Sequence, residues 1–547
     1  MFKKTFAILL TLCLAASAAA GCGNSGTGTP SATGDSAGTT AQAATEAPAV
    51  KTSLPKLDMS KWQQDPDSAV YYQIGITYCE SPADERYEKL AVFVPAAYLD
   101  ATANGDGTFT CKLNETAEIN GYTAATAPIA MPIITPGYYA AEAITEETLP
   151  MVMHGMHPVT DLTDKGLVYV FPGCRGIDEG VPSGVTDLKA AVRYLRYCDD
   201  VIPGSAERIF AFGSSGGGAQ STILGAAGDS ALYDPYLEKI GAVSGVSDAI
   251  AGSVSWCPIT DLDTANAEYE WMMGCTREGR TAEEDAISDG LANAFVSYLN
   301  GAGFTDAGGN ALTLTESAEG IYQAGTYYEY LKSVIEQSLN NYLSDTTFRQ
   351  GTAEDYINDL NADKPWITYD KATNTATITS IADFVKHCKR ATDLLVAFDQ
   401  PTSGNNLFGY GDGKPSHFDK ILADVLTSLN HPAAASYHED LAKTDACGNT
   451  VLQRMDMYTP LYYLMKSRDG CGKSTVAKYW RIRSGIEQAN TALTTEVNLA
   501  LALAQCDGVK NVDFETVWEQ DHTEAERTGD STENFVAWIN ACLMTES

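Results

Sequence analysis

One tight turn constrains the fold of this chain more than any other feature of its sequence. Residues 213–217 read Gly-Ser-Ser-Gly-Gly, directly after an apolar run at residues 209–212 and before a helical pattern. A continuous apolar run is typical of a strand buried on both faces of a parallel sheet. Such a strand passes this abruptly into a helix only where small residues flank the turn. We therefore predict an α/β fold in which the hydroxyl group of Ser215 projects above one edge of the sheet.

Strand and helix patterns alternate around this turn and again near the C-terminus. Apolar runs predict buried strands at residues 167–171 and 252–256. A helix with apolar residues at helical spacing is predicted between the first strand and the turn, capped near Thr186 or Asp187. The last part of the chain has two further strand patterns, each followed by a helical pattern: strands at 476–483 and 511–518, helices at 493–504 and 531–543.

The region between these two alternating parts has a different sequence pattern: residues 258–474 are mostly amphipathic helical stretches joined by polar loops. We therefore predict a mostly parallel sheet with flanking helices, formed by residues 56–260 and 471–547. A large, mainly helical insertion at residues 261–470 interrupts it.

The N-terminus has the layout of an export signal. Two lysines precede a short apolar run at residues 6–14, and small residues follow. Residues 19–22 read Ala-Ala-Gly-Cys and resemble a bacterial lipobox, with Cys22 as the lipid-bearing residue. The alternative is an ordinary cleaved signal with an incidental cysteine. We predict a lipoprotein signal at residues 1–21, a flexible Gly/Ser/Thr/Ala linker at 22–55 and an exported protein anchored at the extracytoplasmic face of the membrane.

Charge and cysteine usage exclude several classes of protein. The chain has 36 Lys+Arg against 71 Asp+Glu, a formal net charge of −35, which argues against nucleic acid and against anionic lipid headgroups. Membrane contact is therefore predicted only through Cys22. None of the 13 cysteines forms a C-x-x-C pair, and we predict no metal site.

A serine hydroxyl becomes a nucleophile only beside a general base. Of the 7 histidines, His522 alone follows the last predicted strand, which is where a Ser, acid, His order along the chain requires the base. The negative oxygen of an acyl intermediate would need two backbone donors. We predict the amide of Gly216, directly after the serine, and that of Cys174 in the loop at residues 173–176.

Eight segments together resemble one enzyme family, the bacterial subtype B tannase-like and feruloyl-esterase-like serine esterases of the α/β-hydrolase superfamily. The segments are residues 173–176 (Gly-Cys-Arg-Gly), 186–196, 213–217, 257–260 (Cys-Pro-Ile-Thr), 269–271 (Tyr-Glu-Trp), 405–409 (Asn-Asn-Leu-Phe-Gly), 479–483 (Tyr-Trp-Arg-Ile-Arg) and 518–534. The resemblance implies hydrolysis of esters of plant phenolic acids such as gallate. It also implies a small-molecule ester as substrate, no cofactor, and a lid role for the insertion.

The chain departs from this family where the catalytic acid belongs. Gln488 stands in place of the family's triad Asp, and Asn490 in place of a second Asp implicated in holding galloyl hydroxyls. An amide can accept a hydrogen bond from the histidine but supplies no charge. Three interpretations stay open. Glu487 serves as the acid, an amide of Gln488 or Asn490 orients His522 in a slower enzyme, or the chain is a weakened homologue that binds a ligand at the cell surface.

The substrate is less constrained than the chemistry. Asn405, Asn406 and His417 in the insertion are candidates for substrate contact, together with Asn490. The amide at Asn490 makes feruloyl, coumaroyl or simpler acyl esters as good candidates as gallate. A peptidase on the same scaffold is a further alternative, although no pocket for a peptide terminus is evident in the sequence.

Overall fold

A nine-stranded mixed sheet forms the centre of the computed structural model, which describes residues 49–155, 158–389, 395 and 404–545. The described strands are β1 (Gln63–Gln64), β2 (Val70–Thr77), β3 (Lys89–Pro95), β4 (Leu99–Ala103), β5 (Phe109–Leu113), β6 (Glu118–Ile119), β7 (Tyr122–Thr123), β8 (Ile129–Ile133), β9 (Val168–Pro172), β10 (Ile209–Ser214), β11 (Gly252–Trp256), β12 (Ile367–Asp370), β13 (Thr375–Ile378), β14 (Tyr479–Gly485) and β15 (Asn511–Val517).

The central sheet has the order β1-β2-β3-β9-β8-β10-β11-β14-β15. The six strands β9, β8, β10, β11, β14 and β15 run parallel to one another. At one edge β1, β2 and β3 pair antiparallel, and β3 also pairs antiparallel with β9. Three two-stranded hairpins, β4-β5, β6-β7 and β12-β13, lie outside this sheet. All five residues of β8, β9 and β11 are buried, because helices cover both faces of the parallel part.

The described helices divide between the core and the insertion. They are α1 (Leu149–His154), α2 (Thr160–Thr163), α3 (Ser183–Tyr197), α4 (Gly216–Ala226), α5 (Asp234–Lys239), α6 (Ala265–Met272), α7 (Ala282–Ala302), α8 (Thr326–Asp345), α9 (Ala353–Leu360), α10 (Ile381–Cys388), α11 (Gly404–Leu407), α12 (Lys420–Ser428), α13 (Ala434–Leu441), α14 (Val451–Tyr458), α15 (Pro460–Leu464), α16 (Leu493–Ala504) and α17 (Ser531–Met544). Between β11 and β14 the described chain contains ten helices and one hairpin. The prediction of an α/β-hydrolase core with a mainly helical insertion is confirmed.

Helix α3 begins earlier than its sequence pattern suggests. It starts at Ser183, so Thr186 and Asp187 lie within its first turns and do not cap it. Asp187 is fully buried and accepts three hydrogen bonds from the Arg175 side chain, at 2.6 Å, 3.0 Å and 3.3 Å. Asp187, which the sequence suggests as a helix cap, fixes Arg175 in the loop after β9 instead.

The packed part of the chain begins within the predicted linker. The Lys51 amide donates to the carbonyl oxygen of Ser244 at 3.1 Å. The hydroxyl of Tyr194 donates to the carbonyl oxygen of Pro55 at 3.1 Å. The predicted signal and the lipid-bearing Cys22 lie outside the described residues. Within the described residues, no helix combines the length and apolar character that a membrane crossing requires.

Candidate active site

The turn at residues 213–217 holds Ser215 in a strained backbone conformation. Ser215 lies between the end of β10 and the start of α4, with φ 58° and ψ −121°. A positive φ costs a residue with a side chain about 1–3 kcal/mol and persists only where the surroundings enforce it. A Cβ at Gly217 would lie 2.1 Å from the carbonyl oxygen of Ile133, and one at Gly213 would lie 2.6 Å from Gly217. Glycine is therefore required on both sides of Ser215.

The amide of Gly216 is available at the start of α4. It belongs to the first helical turn, whose N–H groups have no acceptor within the helix, and no hydrogen bond to it is present among the described residues. Ser215 is half-buried, and its own amide donates to the carbonyl oxygen of Trp256 at 2.9 Å. These contacts suit a nucleophile followed by an oxyanion donor.

The structure does not bring Cys174 to this turn. The Cys174 amide donates to the carbonyl oxygen of Ala141 at 2.9 Å, and its strand β9 is separated from β10 by β8. Burial raises the pKa of the Cys174 thiol to about 12, which keeps it protonated. The loop after β8 lies against the start of α4 instead. Gly137 has φ 60°, and its amide nitrogen lies 3.3 Å from the point that a Cβ on Gly216 would occupy.

His522 lies in the histidine loop, defined here as residues 518–530 between β15 and α17. Both of its ring nitrogens are buried, and neither has a hydrogen-bond partner in the described part of the chain. Burial lowers the pKa of His522 below its usual value, opposed by the charge of Asp521. The imidazole is therefore neutral at neutral pH and has both nitrogens uncommitted.

In the acid loop, defined as residues 486–492 after β14, the side-chain amide of Gln488 makes no hydrogen bond to the ring of His522 in the described structure. Gln488 is fully buried, and its side-chain N–H groups donate to Thr491 Oγ1 at 2.6 Å and to Glu496 Oε1 at 3.1 Å. Its side-chain oxygen accepts from the amides of Asn490 and Thr491. All of these bonds stay within the loop and the start of α16, so Gln488 does not orient the histidine.

The other two candidates of this loop also make no hydrogen bond to His522. Glu487 is half-buried, and its amide donates to the carbonyl oxygen of Gln520 at 3.0 Å. Asn490 is exposed. Glu487 is thus the only carboxylate of the acid loop, and its backbone lies against the histidine loop two residues before His522.

Cys257 joins three parts of the site. It follows β11 directly, and its Sγ accepts from the Gly485 amide at 3.4 Å and donates to the carbonyl oxygen of Thr523 at 3.4 Å. Two residues later, the Ile259 amide donates to the carbonyl oxygen of Ser215 at 3.3 Å. The short segment after β11 therefore contacts the Ser215 turn, the acid loop and the histidine loop, which brings the three together.

Of the candidate substrate contacts in the insertion, His417 has other partners. Nδ1 of His417 lies 2.6 Å from Asp440, and the ring packs on Tyr437 with centroids 4.0 Å apart. Asn405 is buried, with its side-chain oxygen unpaired in the described structure, whereas Asn406 is exposed. No hydrogen bond joins these residues to the Ser215 turn in the described ranges.

An apolar cavity of about 430 Å³ lies beside the Ser215 turn. It is lined by the backbone at Gly213 and Ser214 and by mostly apolar side chains, among them Ile134, Phe171, Phe212, Trp256 and Phe535. All described lining residues belong to the core and none to the insertion. No local sequence pattern predicts this cavity, because its walls come from segments distant in the chain.

Comparison with solved structures finds the same fold in tannases. The tannin acyl hydrolase of Lactobacillus plantarum matches with a TM-score of 0.70 and 26% identity over 89% of this chain and 98% of its own. Tannase from Fusobacterium nucleatum matches with a TM-score of 0.69 and 28% identity over 88% and 97%. A tannin acyl hydrolase in complex with ethyl gallate matches with a TM-score of 0.67 and 27% identity over 88% and 96%.

No family model matches this chain. A search of curated proteins also finds no match. The structural likeness nevertheless extends over nearly the whole length of the tannases and includes the core and the insertion. The chain is therefore a tannase-like serine carboxylic-ester hydrolase of the α/β-hydrolase superfamily.

Proposed function

We propose that this protein hydrolyses small esters of phenolic or related aromatic acids, with Ser215 as nucleophile and His522 as general base. The observation that carries the proposal is the positive φ of Ser215 between β10 and α4, enforced by glycines that no larger residue could replace. The tannin acyl hydrolase solved with ethyl gallate supports an aromatic acyl group. The sequence at residues 19–22 supports a lipid anchor at Cys22 and an extracytoplasmic location.

The proposed reaction uses Ser215, His522 and two backbone amides. Ser215 Oγ attacks the ester carbonyl carbon while a ring nitrogen of His522 takes the hydroxyl proton. The amides of Gly216 and Gly137 stabilise the negative oxygen. The C–O bond to the alcohol breaks, and His522 returns the proton to the leaving oxygen. Water, deprotonated by His522, then attacks the acyl carbon of the acyl-enzyme. The bond from that carbon to Ser215 Oγ breaks, and His522 gives the proton to Oγ, which releases the acid and restores Ser215.

The cavity that borders the Ser215 turn at Gly213 and Ser214 suits the apolar part of such an ester. Its volume lies within the range of about 300–1,000 Å³ that is typical of small-molecule sites. Phe171, Phe212 and Phe535 supply aromatic walls. Asp161 and Glu524 also line the cavity, and their carboxylates could accept hydrogen bonds from phenolic hydroxyl groups.

A panel of substrates tests this proposal. We expect measurable kcat/KM for methyl gallate, methyl ferulate or a short-chain aryl ester, and none for aminoacyl anilides. Turnover of the anilides with none of the esters would contradict it and favour a peptidase. A ligand-binding protein is the second candidate, favoured by the lack of any carboxylate bonded to His522 among the described residues. Saturable binding of a phenolic ester without turnover would support that candidate.

The pH dependence of ester hydrolysis reports the state of His522. Only the neutral imidazole can accept the proton from Ser215, so activity is lost as pH falls through the pKa of His522. Because burial lowers that pKa, we expect the acidic limb of kcat/KM to have its midpoint below 6.5. A midpoint above this value would contradict the structure, since it would mean that a carboxylate stabilises the imidazolium.

A further inference from the structure

A lysine of the insertion is buried against the acid loop. Lys389 directly follows α10 and is 3% exposed. Its ammonium group donates to the carbonyl oxygen of Ile486 at 3.2 Å and to that of Gln488. Because a buried ammonium group is costly unless it is hydrogen-bonded, these contacts fix the acid loop to the insertion.

Several titratable groups from neighbouring elements surround this ammonium. Glu496 of α16 is its main opposite charge, and Cys257, Asp521 and Cys388 act in the same direction. Burial nevertheless dominates and lowers the pKa of Lys389 to about 8. Glu496 is also fully buried, which raises its pKa, and its Oε1 accepts from Ser484, Gln488 and Thr491.

The acid loop in turn supports the histidine loop. The Glu487 amide donates to the carbonyl oxygen of Gln520 in the histidine loop. The Ile486 amide donates at 2.9 Å to the carbonyl oxygen of Val517, the last residue of β15 before that loop. Gly485 packs so closely that a Cβ there would lie 1.9 Å from the carbonyl oxygen of Asp521. Since no side chain of the acid loop hydrogen-bonds His522, backbone contacts of the acid loop and of the end of β14 carry the support of the histidine loop.

We propose that Lys389 is a positioning residue of this esterase, whose ammonium group holds the acid loop and through it keeps His522 in place for Ser215. The proposal rests on the proposed function. It assigns to Lys389, a residue of the insertion, part of the positioning of His522 that a charged triad acid would otherwise provide. Loss of the ammonium group would release two carbonyl oxygens of the acid loop at once and let the histidine loop shift.

Three variants test this role: Lys389→Met, Lys389→Arg and the control Lys364→Met. Lys364 also belongs to the insertion and pairs with Asp383 of α10 at 3.0 Å, but it is 67% exposed. We expect Lys389→Met to lower kcat about 10- to 100-fold with KM changed less than about twofold, since misplacing a catalytic group by about 1 Å costs about that much. Lys364→Met should match the parent, and Lys389→Arg should recover part of the loss.

The alkaline limb of the pH profile separates positioning from a merely structural role. The protonated lysine is the active form, so kcat of the parent should fall as pH rises through about 8. Lys389→Arg should move this limb to higher pH because guanidinium stays charged, and Lys389→Met should lack it. An alkaline limb that is identical in the parent protein, Lys389→Arg and Lys389→Met would overturn the proposal.

Hydrogen exchange of the Ile486 and Glu487 amides provides a readout besides activity. We expect faster exchange at both amides in Lys389→Met and no change in Lys364→Met. Unchanged exchange and unchanged kcat in an active Lys389→Met would overturn this inference alone. A parent protein that cleaves no ester would contradict the proposed function, while exchange would still decide whether Lys389 holds the loop. If Lys389→Met does not fold, Lys389→Met/Glu496→Gln removes both buried charges and takes its place in each measurement.

Discussion

Ester hydrolysis by the Ser215→Ala variant is expected to be at least about 10³-fold slower than that of the parent protein. The reason is that Ser215 alone combines a strained position between β10 and α4 with the Gly216 amide directly after it. Alanine is smaller than serine and removes only the hydroxyl group. Initial rates with the best ester of the panel, at equal concentrations of folded protein, measure the effect.

The control for this variant is Ser333→Ala, an exposed serine on α8 whose hydroxyl donates to the carbonyl oxygen of Tyr330. It should hydrolyse the ester at the parental rate. Parental activity in Ser215→Ala would contradict the assignment of the nucleophile. A large loss in both variants would instead indicate general damage from alanine substitution.

Ester hydrolysis by the Gly485→Ala variant is expected to be about 10²-fold slower, although residue 485 contacts no substrate in the proposed mechanism. A methyl group here would lie 1.9 Å from the carbonyl oxygen of Asp521 and 2.5 Å from that of Gln520. Backbone atoms cannot move away as a flexible side chain does. The histidine loop must therefore shift, and the ring of His522 with it. The kcat of Gly485→Ala divided by the parental kcat measures the loss of rate that results from the shift of His522.

The matched control is Gly301→Ala on α7. No heavy atom lies within 4 Å of its Cβ position, so the methyl group meets open space. This variant should keep parental activity and unfold at the same or a higher temperature, because alanine favours a helix over glycine by about 1 kcal/mol. Parental kcat in Gly485→Ala would show that the close packing of the end of β14 against the histidine loop does not position His522.

Local patterns in the sequence predict the elements that carry the chemistry. The apolar run, the small residues of the turn and the following helical pattern correctly predict β10, the turn and α4. The bounds of β11 and α16 also agree with their patterns, because each is a regular element packed on its whole surface. After β11 the sequence changes to amphipathic helical stretches joined by polar loops, and the structure confirms the helical insertion that this change predicts.

Sheet order is where the sequence prediction is incomplete. The loop after the predicted strand at residues 167–171, which is β9, suggests Cys174 as the second backbone donor. The structure instead places β8 beside β10, with the loop containing Gly137 after it. Strand β8 is short and contains Pro132, which weakens its strand pattern. Adjacency in a sheet is a long-range property, and no local pattern encodes it.

The direction of side chains in the acid loop is equally hidden in the sequence. Gln488 occupies the expected position but is drawn to Glu496 and Thr491, because a fully buried amide must satisfy its N–H groups. Lys389 reaches the same loop from a segment about a hundred residues earlier in the chain. Neither contact follows from a motif, and both decide how His522 is supported.

Covalent labelling with a fluorophosphonate tests the central claim, that Ser215 is an activated nucleophile, most directly. Intact mass of the parent protein should show one adduct, peptide mapping should place it on Ser215, and the Ser215→Ala variant should show none. The His522→Ala variant should label much more slowly, since the base that deprotonates the hydroxyl is gone. An unlabelled parent protein, at probe levels that label a known serine esterase, would contradict the account, as would an adduct that persists in Ser215→Ala.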